Sequence, residues 1–179
     1  MQEWDEIVCN LSDRYEQEVL ELRHAIHADP ELSFQEFHTA ARVEEFLGRM
    51  DIPVKTGIAG TGITADISGR GPGRTLLLRA DMDALPITEE NDLPFCSANP
   101  GVMHACGHDV HTASLCGTAR ILYELRDSWN GTVRLVFQPA EENGGGGREM
   151  IRAGILDDIR VDASLALHTM TKAAPGHFS

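Results

Sequence analysis

The segment Met103-His-Ala-Cys-Gly-His-Asp-Val-His111 puts three of the eight histidines and one of the four cysteines within nine positions. Cys106 and His108 are separated only by Gly107, a residue that lets the backbone turn tightly enough for both side chains to reach one point. Thiolate, imidazole and carboxylate together suit a borderline divalent ion such as zinc, or manganese. The competing reading is a helix N-terminus with a buried thiol and hydrogen-bonded histidines, the common fate of a lone Cys. Acidic residues elsewhere tip the balance. Asp81 and Asp83 follow one apolar run, Glu141 and Glu142 a second, and His168 a third. An adjacent acid pair is ordinarily a solvated surface feature. Placed after a buried strand it can divide two jobs, one carboxylate binding metal and the other moving a proton between water and a leaving nitrogen.

The elements that must deliver these groups are read from periodicity. Leu11, Tyr15, Val19, Leu22 and Ile26 mark one face of a helix that Pro30 ends. Ser33 and Glu36 form a capping-box pattern ahead of a second helix reaching about Asp51. Strands are expected at 52–55, 62–67, 75–80, 132–137 and 163–167, and helices at 111–125 and after the Gly144–Gly147 run. The turn Ser68-Gly-Arg-Gly-Pro-Gly73 predicts that 63–67 and 75–81 pair as a hairpin. Strands alternating with helices predict an α/β fold, a three-layer sandwich with a largely parallel mixed sheet, in one domain over residues 1–179. In open α/β sheets, sites form at the carboxyl ends of strands, where these acids and imidazoles fall.

Several function classes are disfavoured. The Gly144–Gly147 run lacks the Gly-Lys-Ser/Thr ending of a phosphate-binding loop. No Gly-x-Ser-x-Gly elbow is present for a serine nucleophile. Fifteen Lys and Arg against 28 Asp and Glu give a net charge of −13, which argues against nucleic acid or an anionic membrane surface as partner. The acidic start MQEWDEIVCN does not read as a secretory signal, and the cysteines form no disulfide framework, so a cytoplasmic location is expected.

Five segments in order carry a resemblance: Leu22–Leu32, Leu78-Arg-Ala-Asp-Met-Asp-Ala-Leu-Pro86, Met103–Ala113, Val136-Phe-Gln-Pro-Ala-Glu-Glu142 and Leu167-His168. The chain resembles the amidohydrolases of peptidase family M20, in the branch of indole-acetyl-amino-acid, N-acyl-amino-acid and aminobenzoyl-glutamate hydrolases. The resemblance implies metal ligands at Cys106, His108, Glu142 and His168, a general acid/base at Glu141 and a ligand-orienting acid at Asp83. Asp81, Asp109 and His111 are lesser candidates for the same orienting role. Val110 stands where the family usually has Gly. Two divalent ions per complete site are implied (zinc or manganese, with cobalt or nickel as alternatives), as is a small N-acyl amino acid or peptide substrate. Family members run further, into a lid that often mediates homodimerisation and a returning segment with another ligand histidine. The expectation is therefore a catalytic domain incomplete relative to the family, with lid and return segment absent. His177 matches neither missing histidine. The alternative is a truncated, non-catalytic metal-binding fragment of the same fold.

Overall fold

The computed structural model describes residues 2–170. Helix α1 spans Gln2–Ala28 and carries the expected stripe, with Leu11 and Ile26 buried. Its inner face lies on α3 (His108–Glu124), and the two backbones approach closely at Gly117. A Cβ there would stand 2.8 Å from a Val19 methyl. Helix α2 (Phe37–Gly48) buries Val43, Phe46 and Leu47. The expected capping box does not form: Glu36 precedes the helix but makes no side-chain capping bond. Its carboxylate is turned inward instead, and Ser33 bonds Asp83.

Five strands form one sheet: β1 (Val54–Ile58), β2 (Gly62–Ser68), β3 (Thr75–Asp81), β4 (Thr132–Gln138) and β5 (Ala163–Ala166), in the order β1-β2-β4-β3-β5. The mixed sheet of an α/β fold is as expected. Its β4-β3-β5 half is parallel and its β1-β2-β4 half antiparallel. The predicted hairpin between β2 and β3 is not formed. β4 lies between them, antiparallel to β2 and parallel to β3. The glycine-rich turn that suggested the hairpin packs on the segment before β4, with Gly69 N–H bonded to the Gly131 carbonyl.

Register sets the two faces. Ile63, Ala65 and Ile67 stand opposite Phe137, Leu135 and Val133, and these continue onto Ala80, Leu78 and Leu76. This face meets α2 and α3 in the main core. Complete burial of Ile63, Leu135 and Phe137 contributes about 1.5–3 kcal/mol each. On the opposite face Arg134 bonds Asp66, Asp158 and the Ile155 carbonyl. There α4 (Gly146–Arg152) seats Met150 beside Gly62. Helices therefore cover both faces, giving three layers.

Candidate metal centre

The carboxyl ends of β3, β4 and β5 lie side by side, and each releases its chain toward the N-terminus of α3. β3 ends at Asp81, and the ladder runs one step further through the Met82 N–H to the Gln138 carbonyl. Asp83 follows and is fully buried. Gly107 precedes α3 with φ of 88°, the left-handed region that glycine enters without penalty. A Cβ at this position would meet Thr169 Oγ1 at 2.5 Å, so the close approach of the β5 exit also requires glycine. Cys106 and His108 thereby leave opposite sides of one turn and point into the same space.

His108 is completely buried at the centre. Its Nδ1 lies 3.3 Å from Asp83 Oδ1, and its Nε2 lies 3.6 Å from Asp81 Oδ1 and 3.8 Å from Glu142 Oε1. Burial alone would push the His108 pKa down, but Asp83, Asp81 and Glu142 carry it above the ordinary value. Asp83 accepts the Ser33 hydroxyl at 2.7 Å and the backbone N–H groups of Glu141 and Glu142 at 3.0 and 3.1 Å. Burial pushes its carboxyl up, yet His108 and these donors bring it down to about 2. Cys106 Sγ stands 3.6 Å from His168 Nε2. The His168 Nδ1–H donates to the Thr169 carbonyl at 2.7 Å, which leaves the Nε2 lone pair free toward the sulfur. Burial and the neighbouring Glu142, Asp81 and Glu141 carboxylates raise the Cys106 thiol to about 11.

Three overlapping donor groups share His108, each with its donor atoms within 4.8 Å of one another: Cys106–His108–His168 and His108–Glu141–Glu142, which hold the sequence candidates, and Asp81–His108–His111. All five sequence candidates for ligand or proton carrier thus meet in one place. A divalent ion fits them. Among the described residues His108 Nε2 and Glu142 Oε1 are buried without a hydrogen-bond partner, a costly state for polar atoms unless a cation satisfies them. The lesser candidates are already engaged. His111 donates from Nδ1 to Asp81 at 2.6 Å and accepts the Thr169 N–H at Nε2. Asp81 is also held by the Arg79 guanidinium at 2.7 Å. Asp109 faces away from the centre and accepts from Arg23 and His27. His177 lies outside the described residues.

Two contributors were read from the sequence only as a helix cap. Ser33 braces Asp83, and Glu36 accepts the Ala140 N–H at 2.9 Å. Both sit in a stretch whose spacing imitates a helix cap, and that local signal concealed the long-range contact.

Residues 77–178 match peptidase family M20/M25/M40. The chain is 49% identical over 162 residues to an N-acyl-L-amino acid amidohydrolase of Geobacillus stearothermophilus, an alignment covering 87% of this chain and 42% of the relative. It is 45% identical over 161 residues to an N-acetyl-L-cysteine deacetylase of Bacillus subtilis, covering 90% of this chain and 38% of that protein. The chain therefore spans about 40% of the length of these curated relatives. Among solved structures, the YXEP protein of Bacillus subtilis, described as a dinuclear metal binding peptidase, superposes with a TM-score of 0.85 at 42% identity. That match covers 89% of this chain and 45% of the other.

Proposed function

The chain belongs to peptidase family M20/M25/M40, and from that membership together with the site geometry we propose that it carries the metal-binding part of an amidohydrolase acting on N-acylated amino acids or small peptides. The carrying observation is the set of overlapping donor groups around His108, with unpartnered His108 Nε2 and Glu142 Oε1 3.8 Å apart. Cys106, His108, Glu142 and His168 would hold divalent ions, zinc or manganese by donor chemistry. Such ions lower the pKa of a water and polarise the scissile carbonyl. Glu141 is the proton carrier: it is exposed, while Glu142 is turned in toward His108. Its carboxylate takes a proton from the attacking water and delivers it to the departing nitrogen. Asp83 positions this carrier by holding the Glu141 backbone, and Asp81 with His111 buttresses the other side.

No helix among the described residues is long and apolar enough to cross a membrane. The acid excess argues against a nucleic-acid partner. The test is Glu141→Gln in the full-length protein, assayed on N-acetyl and N-benzoyl amino acids alongside metal analysis. The expected result is turnover reduced to background with bound metal unchanged. Undiminished turnover overturns the assignment of Glu141. Stoichiometric metal with no turnover in the unsubstituted protein favours a metal-binding, non-catalytic role.

A further inference from the structure

Glu36 is a carboxylate with no exposed surface and, among the described residues, no cation in contact. Removing a carboxylate from water is costly unless several donors replace the lost solvent. Here the donors are the Phe34 N–H at 2.9 Å, the Thr61 hydroxyl and the Ala140 N–H at 2.9 Å. None of them belongs to α2, the helix that Glu36 precedes. The contact to Ala140 reaches 104 positions along the chain, into the turn between β4 and the acid pair.

That turn needs external support. Ala140 is buried and left-handed, with φ of 49°, a conformation that residues other than Gly, Asn and Asp rarely adopt. Its N–H goes to Glu36, and the next two amides, of Glu141 and Glu142, go to Asp83. Three consecutive amides thus end on two buried carboxylates supplied by separate segments. The Ala140 carbonyl accepts the N–H groups of Gly145 at 3.4 Å and Gly146 at 3.2 Å, so its other end is fixed as well. Without an acceptor at position 36, the Ala140 N–H would be buried and unpaired. The residue would then be free to relax toward negative φ, rotating the peptide from which both acids project.

We propose that Glu36 is a positioning residue of the metal centre: by accepting the Ala140 N–H, its buried carboxylate holds the left-handed turn that aims Glu141 and Glu142. This rests on the metal-binding reading above. Burial pushes the Glu36 carboxyl upward, against the bonds from Thr61 and Ala140. A neutral amide can nevertheless replace it, because Gln keeps an oxygen for Ala140 and offers its NH₂ to Thr61 Oγ1.

The experiment is Co²⁺ titration of the full-length protein, read by the thiolate charge-transfer band expected from Cys106. Glu36→Leu is expected to weaken Co²⁺ binding by about 10–100-fold, the usual effect of losing a group that orients a ligand. Glu36→Gln is expected to restore most of that affinity. Glu36→Asp, whose carboxylate is withdrawn by one methylene, carries the same expectation as Leu and serves if the Leu variant does not fold. Arg134→Met is the control, because it removes a buried guanidinium that pairs with Asp66 and Asp158 and touches none of the site. It is expected to lower thermal stability and leave Co²⁺ affinity unchanged. Wild-type affinity in both the Leu and Asp variants overturns the proposal, as does equal weakening by Arg134→Met. Absence of Co²⁺ binding by the unsubstituted protein instead overturns the metal-binding reading, and this proposal with it.

Discussion

Asp83 and His108 face each other with Oδ1 and Nδ1 3.3 Å apart, both side chains wholly withdrawn from solvent. The same carboxylate holds the amides of Glu141 and Glu142. One side chain therefore fixes the orientation of a candidate ligand on α3 and the origin of the acid pair after β4. Asp83→Ala is expected to weaken metal binding by about 10–100-fold, as loss of an orienting group does. Competition against a chromophoric chelator measures it. Unchanged affinity would separate Asp83 from the centre.

Metal binding should release protons. The Cys106 thiol is held up to about 11 without an ion, yet a thiolate is what binds metal. As pH rises toward that value, the apparent affinity for zinc should rise, by about tenfold per pH unit for the one proton displaced from the thiol. Cys106→Ser should flatten that slope. Parallel slopes in the two proteins would place the sulfur outside the ligand set.

Acid stability should depend in part on Glu89. Burial pushes its carboxyl up, but the Ser97 N–H, the Asn91 amide and His27 together bring it down to about 2. Because the folded value is depressed, the stabilisation is present above the unfolded value near 4.5 and is lost as pH falls from there toward 2. Denaturant midpoints of Glu89→Gln and the unsubstituted protein should converge across that window. A constant difference from pH 6 to pH 2.5 would refute the assignment.

The glycine loop offers a paired test. A Cβ on Gly146 would overlap the Pro139 carbonyl oxygen, whereas one on Gly144 meets nothing within 4 Å. Gly146→Ala should destabilise by about 1–3 kcal/mol, the usual cost of overpacking. Gly144→Ala carries only the left-handed penalty of about 1 kcal/mol. Urea midpoints give both values, and equal losses would contradict the packing described.

The positions of helices and strands were readable because the periodicity of apolar residues is a local property. Leu11 to Ile26 and Val133 to Phe137 announce their elements without reference to the rest of the chain. Strand order is not local, and the turn at 68–73 pointed to a neighbour that β4 displaces. The donor residues were legible because Cys, His and Glu at strand ends are chemically conspicuous. Their supports were not. A Ser and a Glu three positions apart look the same whether they cap a helix or reach 50 and 104 residues away to Asp83 and Ala140. The engagement of His111 by Asp81 and Thr169 depends on partners 30 and 58 positions distant.

The insertion of β4 between β2 and β3 also orders events during synthesis. β1 and β2 can close on each other as soon as they leave the ribosome. β2 and β3 share no bond, and the strand that joins them ends only at Gln138. Until then Ile63, Ile67, Leu76 and Leu78 have neither their central neighbour nor its face of the core. The nascent chain thus carries unsatisfied apolar strands through more than a third of its length, the interval in which strand edges are open to wrong partners. The same late strand leads into the turn that bears Glu141 and Glu142, and β5 with His168 follows it, so sheet and centre both finish late.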